Sequence, residues 1–150
     1  MDVKYINPFI KAFDNVMPQL GFEVKKGGVA LKDTIVGSGI TITLGLIGDI
    51  KGNIIYIIGE EDGKKIASKM MMGMQVDELN EMAQSAISEL TNMLTANAST
   101  NYSEDGIIVD ISTPVLMTGE SINIKVNSKS ILDLDMIVDE MTIKLNVALE

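Results

Sequence analysis

ITITLGLIGDIKGNIIYII, residues 40–58, decides the fold. Ile40, Ile42, Leu44 and Leu46 alternate with Thr41, Thr43 and Gly45, the two-residue period of a strand with one buried face. IIYII, residues 54–58, is apolar throughout and suits a strand covered on both sides. Between them GDIKG, residues 48–52, carries the Gly and Asp of a hairpin turn.

Upstream, Tyr5, Ile6, Phe9, Ile10, Phe13, Val16, Met17 and Leu20 recur at three- and four-residue spacing and predict a helix over residues 3–20. Gly21 stops it, and Asn7–Pro8 marks the start of its regular part. FEVKKGGVALK, residues 22–32, reads as a short hairpin around Gly27 and Gly28. Downstream, a short helix is expected over residues 60–72, with Glu60, Glu61 and Asp62 at its positive end. The MMMGM run, residues 70–74, closes it and reads as core filling.

Asp77 then opens a second long helix, with Asn80 as an alternative start. Leu79, Met82, Ala83, Ala86, Ile87, Leu90, Met93 and Leu94 form its buried stripe. Strand-like segments follow at residues 106–111, 115–118, 122–126, 132–138 and 141–149, the last a clean alternation. The expectation is one α/β (α+β) domain spanning residues 1–150, an antiparallel sheet backed by two long helices and one short helix. The order also suggests an internal pseudo-repeat of helix plus strands. FIKAFDNVM, residues 9–17, overlays AISELTNML, residues 86–94, matching Asn15 with Asn92 but placing Ala12 at Glu89.

Composition narrows the chemistry. Apolar residues make up 46% of the 150 and charged residues 22%, a globular balance. A net charge of −9 argues against nucleic acid, which is bound by clustered Lys and Arg. Cys and His are absent, which excludes thiol nucleophiles, disulfides, Cys/His zinc sites and Ser-His-Asp triads. The N-terminus has no basic segment leading into an apolar run, and no stretch reaches the ~18 apolar residues of a bilayer span, so a cytoplasmic location without membrane insertion is expected. The glycines of VGSGITITLG, residues 36–45, precede a strand and lack a GKS/T, against a nucleotide loop. Asp133, Asp135 and Asp139 in ILDLDMIVDE, residues 131–140, share a face; a cation site is one reading, and charges that discourage edge pairing the other.

One polar ridge remains. In SAISELTNML, residues 85–94, Ser85, Glu89 and Asn92 are four and three positions apart and stack along one side of a helix, away from the apolar stripe. Asparagine is a mediocre helix former, so an exposed face built only for stability would use Glu, Lys or Ala instead.

SAISELTNMLTANAST, residues 85–100, resembles the signature helix of the CheC/CheX/FliY phosphatases of bacterial chemotaxis. In that family a Ser or Asp is followed four residues later by Glu and three after that by Asn, often with a second Asn; here these are Ser85, Glu89, Asn92 and Asn97. The opening MDVKYINPFIKAF, the single motif copy and the proline segment DISTPVLMTGE, residues 110–120, are similar to the CheX branch. The resemblance implies a phosphatase acting on the aspartyl phosphate of a CheY-type response regulator. Asn92 would orient the attacking water and Glu89 would dock on a regulator lysine, with Ser85 either a partner contact or surface filler. Asn97 reads more simply as a helix C-terminal residue. No cofactor of its own is implied; Mg2+ is expected on the regulator. A homodimer joined through sheet edges is also implied, with the C-terminal strand one possible contributor. The alternative is a non-catalytic adaptor for a receiver domain or flagellar switch protein.

Overall fold

The computed structural model describes residues 3–128 and 130–150, so Met1, Asp2 and Lys129 lie outside the description. A 3-10 turn, Val3–Ile6, leads into α1, Asn7–Val16, and a second 3-10 turn, Pro18–Leu20, follows. Then come β1 (Val24–Lys32), β2 (Ile35–Gly48), β3 (Gly52–Ile58), α2 (Glu60–Met70) and α3 (Glu81–Glu104). The chain ends in β4 (Val109–Ile111), β5 (Val115–Ile124), β6 (Ile131–Val138) and β7 (Met141–Leu149). Pro8 and Pro18 each lack the N–H that a first helical turn leaves unused, which is why they open helical pieces. Gly21, at φ +88°, ends the helical segment.

The seven strands form one antiparallel sheet in the order β1-β6-β7-β3-β2-β4, with β5 also paired to β2. Exchanging β1 with β5, β2 with β6 and β3 with β7 leaves every neighbour relation of these six strands intact. The pseudo-repeat read from helix order is thus present in the sheet. Its helices differ, however: Ala12, the counterpart of Glu89, is fully buried, so the first copy has no polar ridge to offer.

The helices cover one face of the sheet. Ile40, Ile42, Leu44 and Leu46 meet Ile54, Tyr56 and Ile58 there, together with Leu132, Leu134, Ile143, Leu145 and Val147, all essentially inaccessible. Ile55 and Ile57, on the opposite face, pack with Ile35, Ile131 and Ala148 beneath Ile124 and Val126, so IIYII is buried on both sides as its composition demands. Gly63 lets α2 approach closely, since a Cβ there would lie 2.5 Å from the Ile40 Cδ1.

Several local expectations are corrected. Residues 22–32 form no hairpin: β1 runs straight along β6 with a bulge between Lys26 and Val29. Gly27 serves close approach instead of a turn, because a Cβ there would stand 2.8 Å from the Asp135 carbonyl oxygen. Segments 115–118 and 122–126 merge into β5, whose turn-like Gly119 is absorbed by an irregularity opposite Gly37–Gly39. Of segment 106–111, only Val109–Ile111 is strand, because α3 continues to Glu104 and Gly106, at φ +81°, terminates it. The start of α3 is Asn80, whose side chain accepts the Ala83 N–H at 2.9 Å; Asp77 instead accepts from Gln75. The methionine run divides: Met70 and Met71 pack on the core, whereas Met72 and Met74 are exposed.

The C-terminal strand β7 lies between β3 and β6, so it offers no free edge; β1 and the β4/β5 side are the edges. The three aspartates neither face open water together nor form a cation cluster. Asp133 is buried against Lys32 at 2.7 Å and Lys144 at 3.2 Å, and Asp135 pairs with Lys144 at 2.8 Å. Burial pulls the Lys144 ammonium down, but its hydrogen bonds to Asp135 and Asp133 and the charge of both carboxylates together hold it above the ordinary pKa. Asp139 sits in the β6–β7 turn at φ +54°, bound to Lys69 and to the Glu23 N–H. No group of three or more acidic side chains among the described residues is arranged to hold a metal ion.

Candidate active site

The roll of α3 is set from beneath. Ala83, Ile87, Leu90, Leu94, Ala98 and Tyr102 recur at three- and four-residue spacing and are fully buried or nearly so. A polar chain reinforces them under the site. Thr95 donates to the Thr91 carbonyl at 2.7 Å, and Thr91 donates to the Ser88 carbonyl at 2.8 Å. The Tyr56 hydroxyl, rising from β3, lies 2.8 Å from the Thr95 Oγ1. Since the Thr95 proton is already given to Thr91, Tyr56 is the donor, and burial pushes its phenol above the usual pKa.

With that face held down, the ridge points outward: Ser85 and Glu89 are exposed and Asn92 is half-buried. The structure therefore brings the three predicted residues to one place. None of the three side chains makes a hydrogen bond or ion pair with another described residue. Asn97 does not belong with them. It lies well inside α3, where it accepts from Asn15 of α1 at 3.1 Å and from Asn101 at 3.2 Å, and Asn101 also donates to the Pro8 carbonyl. It ties α1 to α3, which corrects its reading as a C-terminal helix residue.

Beside the ridge runs an open groove of about 530 Å³. One wall is α3, with Glu81, Gln84, Ser85, Ser88, Glu89 and Asn92; the other is Thr113, Pro114 and Leu116, from the β4–β5 connection and β5. That second wall is pinned by Ser112, whose hydroxyl accepts the Gly45 N–H at 2.7 Å and whose own N–H bonds the Gly45 carbonyl at 3.0 Å. Glu81 and Ser88 were discoverable from helical spacing, being four positions before and three after Ser85. The far wall needs the sheet order, although its proline segment, residues 110–120, stands out in the sequence.

The lining has two carboxylates, amides and hydroxyls, and no lysine. Such a groove has no charge with which to clamp a phosphoryl group itself. What it presents is an unpaired amide, suited to orienting water, and an unpaired carboxylate one turn away, suited to a cation on another molecule.

An antiparallel sheet under a motif-bearing helix is the CheC-like architecture. The CheC-like superfamily protein from Shewanella sp. PV-4 superposes with a TM-score of 0.87 at 26% identity, over 100% of this chain and 99% of that one. CheX in its CheX–CheY–BeF3–Mg2+ complex from Borrelia burgdorferi gives 0.78 at 26% identity, covering 99% of each chain. The profile of the chemotaxis phosphatase CheX family matches residues 40–132. The CheY-P phosphatase CheX of Thermotoga maritima is 32% identical over 127 residues, 83% of this chain and 82% of that protein. This chain belongs to the chemotaxis phosphatase CheX family.

Proposed function

We propose that this chain hydrolyses the aspartyl phosphate of a CheY-type response regulator, with Asn92 orienting the attacking water and Glu89 docking on a regulator lysine. The observation that carries the reading is the free Glu89–Asn92 pair at the lip of a groove without cations, in a chain of this family. The named activity of the Thermotoga relative and the composition of the Borrelia complex support the choice of partner.

The chemistry asks little of the chain. The water oxygen bonds to phosphorus as the acyl oxygen–phosphorus bond breaks, and the regulator's aspartate leaves as a carboxylate while the water's proton goes to the phosphate. A carboxylate of pKa ~3.9 needs no general acid to depart, so the absence of histidine costs nothing. Phosphoryl transfer instead needs an in-line nucleophile and charge compensation. Mg2+ and a lysine on the regulator supply the charge; the neutral Asn92 amide accepts one water hydrogen and aims the lone pair without bringing an anion near the phosphoryl oxygens. Glu89, one turn away, sets the depth and angle of entry through its ion pair. Ser85 adds a contact at the margin, and no cofactor of the chain's own takes part. Self-association through sheet edges would use β1 or the β4/β5 side.

The test is the decay of a phosphorylated CheY-type regulator with and without the chain. Wild type accelerates decay, Asn92→Ala binds without accelerating, and Glu89→Ala loses binding as well. Equal acceleration by wild type and Asn92→Ala refutes the mechanism, whereas binding without acceleration by wild type is the outcome an adaptor gives.

A further inference from the structure

Met82 does not lie in the core, where its place in the apolar pattern of α3 put it. It is 60% exposed, in the first turn of the helix. At 3.6 residues per turn, its seven-residue separation from Glu89 leaves the two within about 20° on the helix surface. Met82, Ser85, Glu89 and Asn92 thus form one continuous outward row, with the apolar member at its N-terminal end.

We propose that Met82 is an apolar anchor for the same receiver domain that Glu89 and Asn92 engage, a reading that rests on the proposed function above. A stable interface buries about 800 Å² on each partner, a disc of radius roughly 16 Å. Along the helix Met82 stands about 10.5 Å from Glu89 and about 15 Å from Asn92, at 1.5 Å per residue. A body seated on Glu89 and Asn92 with an interface of ordinary size therefore covers Met82 too. The position is otherwise unsuited to an apolar side chain, since the positive end of a helix favours carboxylates, as Glu81 next to it illustrates. Across the groove, which Met82 itself does not line, Pro114 and Leu116 of the facing wall present further apolar side chains. Hence the row divides its labour: an ion pair at Glu89 gives orientation, and an unbranched, adaptable thioether gives affinity.

The experiment measures regulator dephosphorylation against concentration for wild type, Met82→Ala, Met82→Asp and Met82→Leu. The alanine variant raises the half-saturating concentration about tenfold, the loss of one buried anchor. Aspartate raises it further and leucine restores it, while the saturating rates stay within twofold of wild type. If wild type is active and the alanine and aspartate variants share its half-saturation, the anchor is refuted and the site reading stands. If wild type accelerates nothing, the site reading falls and the anchor with it. A fall in saturating rate at unchanged half-saturation assigns Met82 to positioning Asn92 and also overturns the proposal.

Discussion

Replacing Tyr56 by Phe removes one oxygen from the polar chain beneath the site and little else, because the ring is fully buried and keeps its packing. Its hydroxyl gives Thr95 a hydrogen bond of 2.8 Å, while Thr95 continues to donate to the Thr91 carbonyl. The loss is that of one neutral buried bond, ~1 kcal/mol. Thr95→Val is worse, because it strands the Tyr56 hydroxyl as an unpaired buried donor, at ~2 kcal/mol. In the double variant both partners are apolar and nothing is stranded, so the total returns to ~1 kcal/mol. The coupling between the two positions is then ~2 kcal/mol. For a chain of this size that corresponds to falls in Tm of ~3 °C for Tyr56→Phe, ~6 °C for Thr95→Val and ~3 °C for the pair. Urea and thermal unfolding at pH 7 read all three. Additivity within about 0.5 kcal/mol refutes the assigned donor direction and the idea that this bond fixes α3 onto the sheet.

Three other perturbations follow from the same physical reasoning. Gly39→Ala destabilises by more than ~2 kcal/mol, since Gly39 has φ +73° and a Cβ would lie 2.5 Å from the Ile58 carbonyl oxygen; an unchanged urea midpoint contradicts this. Asp133→Ala costs ~2 kcal/mol, because a buried acceptor shared by Lys32, Lys144 and Asn146 is lost while Lys144 keeps Asp135; urea unfolding that finds it neutral or stabilising shows that burying this carboxylate had been a net burden. At alkaline pH, burial raises the phenols of Tyr56 and Tyr102 above the ordinary 10.0, so their contribution is intact below pH 10 and is lost as pH rises beyond it, when the unfolded chain ionises first. Tyr56→Phe flattens that decline, as thermal unfolding between pH 9 and pH 11.5 reads; an unaltered slope contradicts it.

Legibility in the sequence followed the range of the interactions. Residues 40–47 betray a strand because every second side chain enters the core, a purely local pattern. The row of Ser85, Glu89 and Asn92 is equally local, three residues on a helix whose buried stripe is unmistakable. Gly27 and Gly28 were ambiguous because a glycine pair serves a turn or a bulge, and only the Asp135 backbone on β6 decides between them. Alternation showed that Asp133 and Asp135 share a face, but the lysines that meet them come from other strands. The regular C-terminal strand suggested an edge only because sheet order is not written in any one strand. Met82 was misassigned because its apolar side chain alone drew it into the stripe: on the wheel it stands about 100° from Ala83 and about 140° from Ile87, close to exposed Glu89. The facing wall, Thr113, Pro114 and Leu116, joins the groove only through the pairing of β2 with β4 and β5.

The most direct test of the central claim is the dephosphorylation rate of a CheY-type regulator at saturating concentrations of the Asn92→Ala variant, alongside that variant's binding to the same regulator held in its phosphorylated form by beryllofluoride. The water-orienting role predicts a rate equal to the regulator's own spontaneous decay and binding within twofold of wild type. A saturating rate close to that of wild type would contradict it.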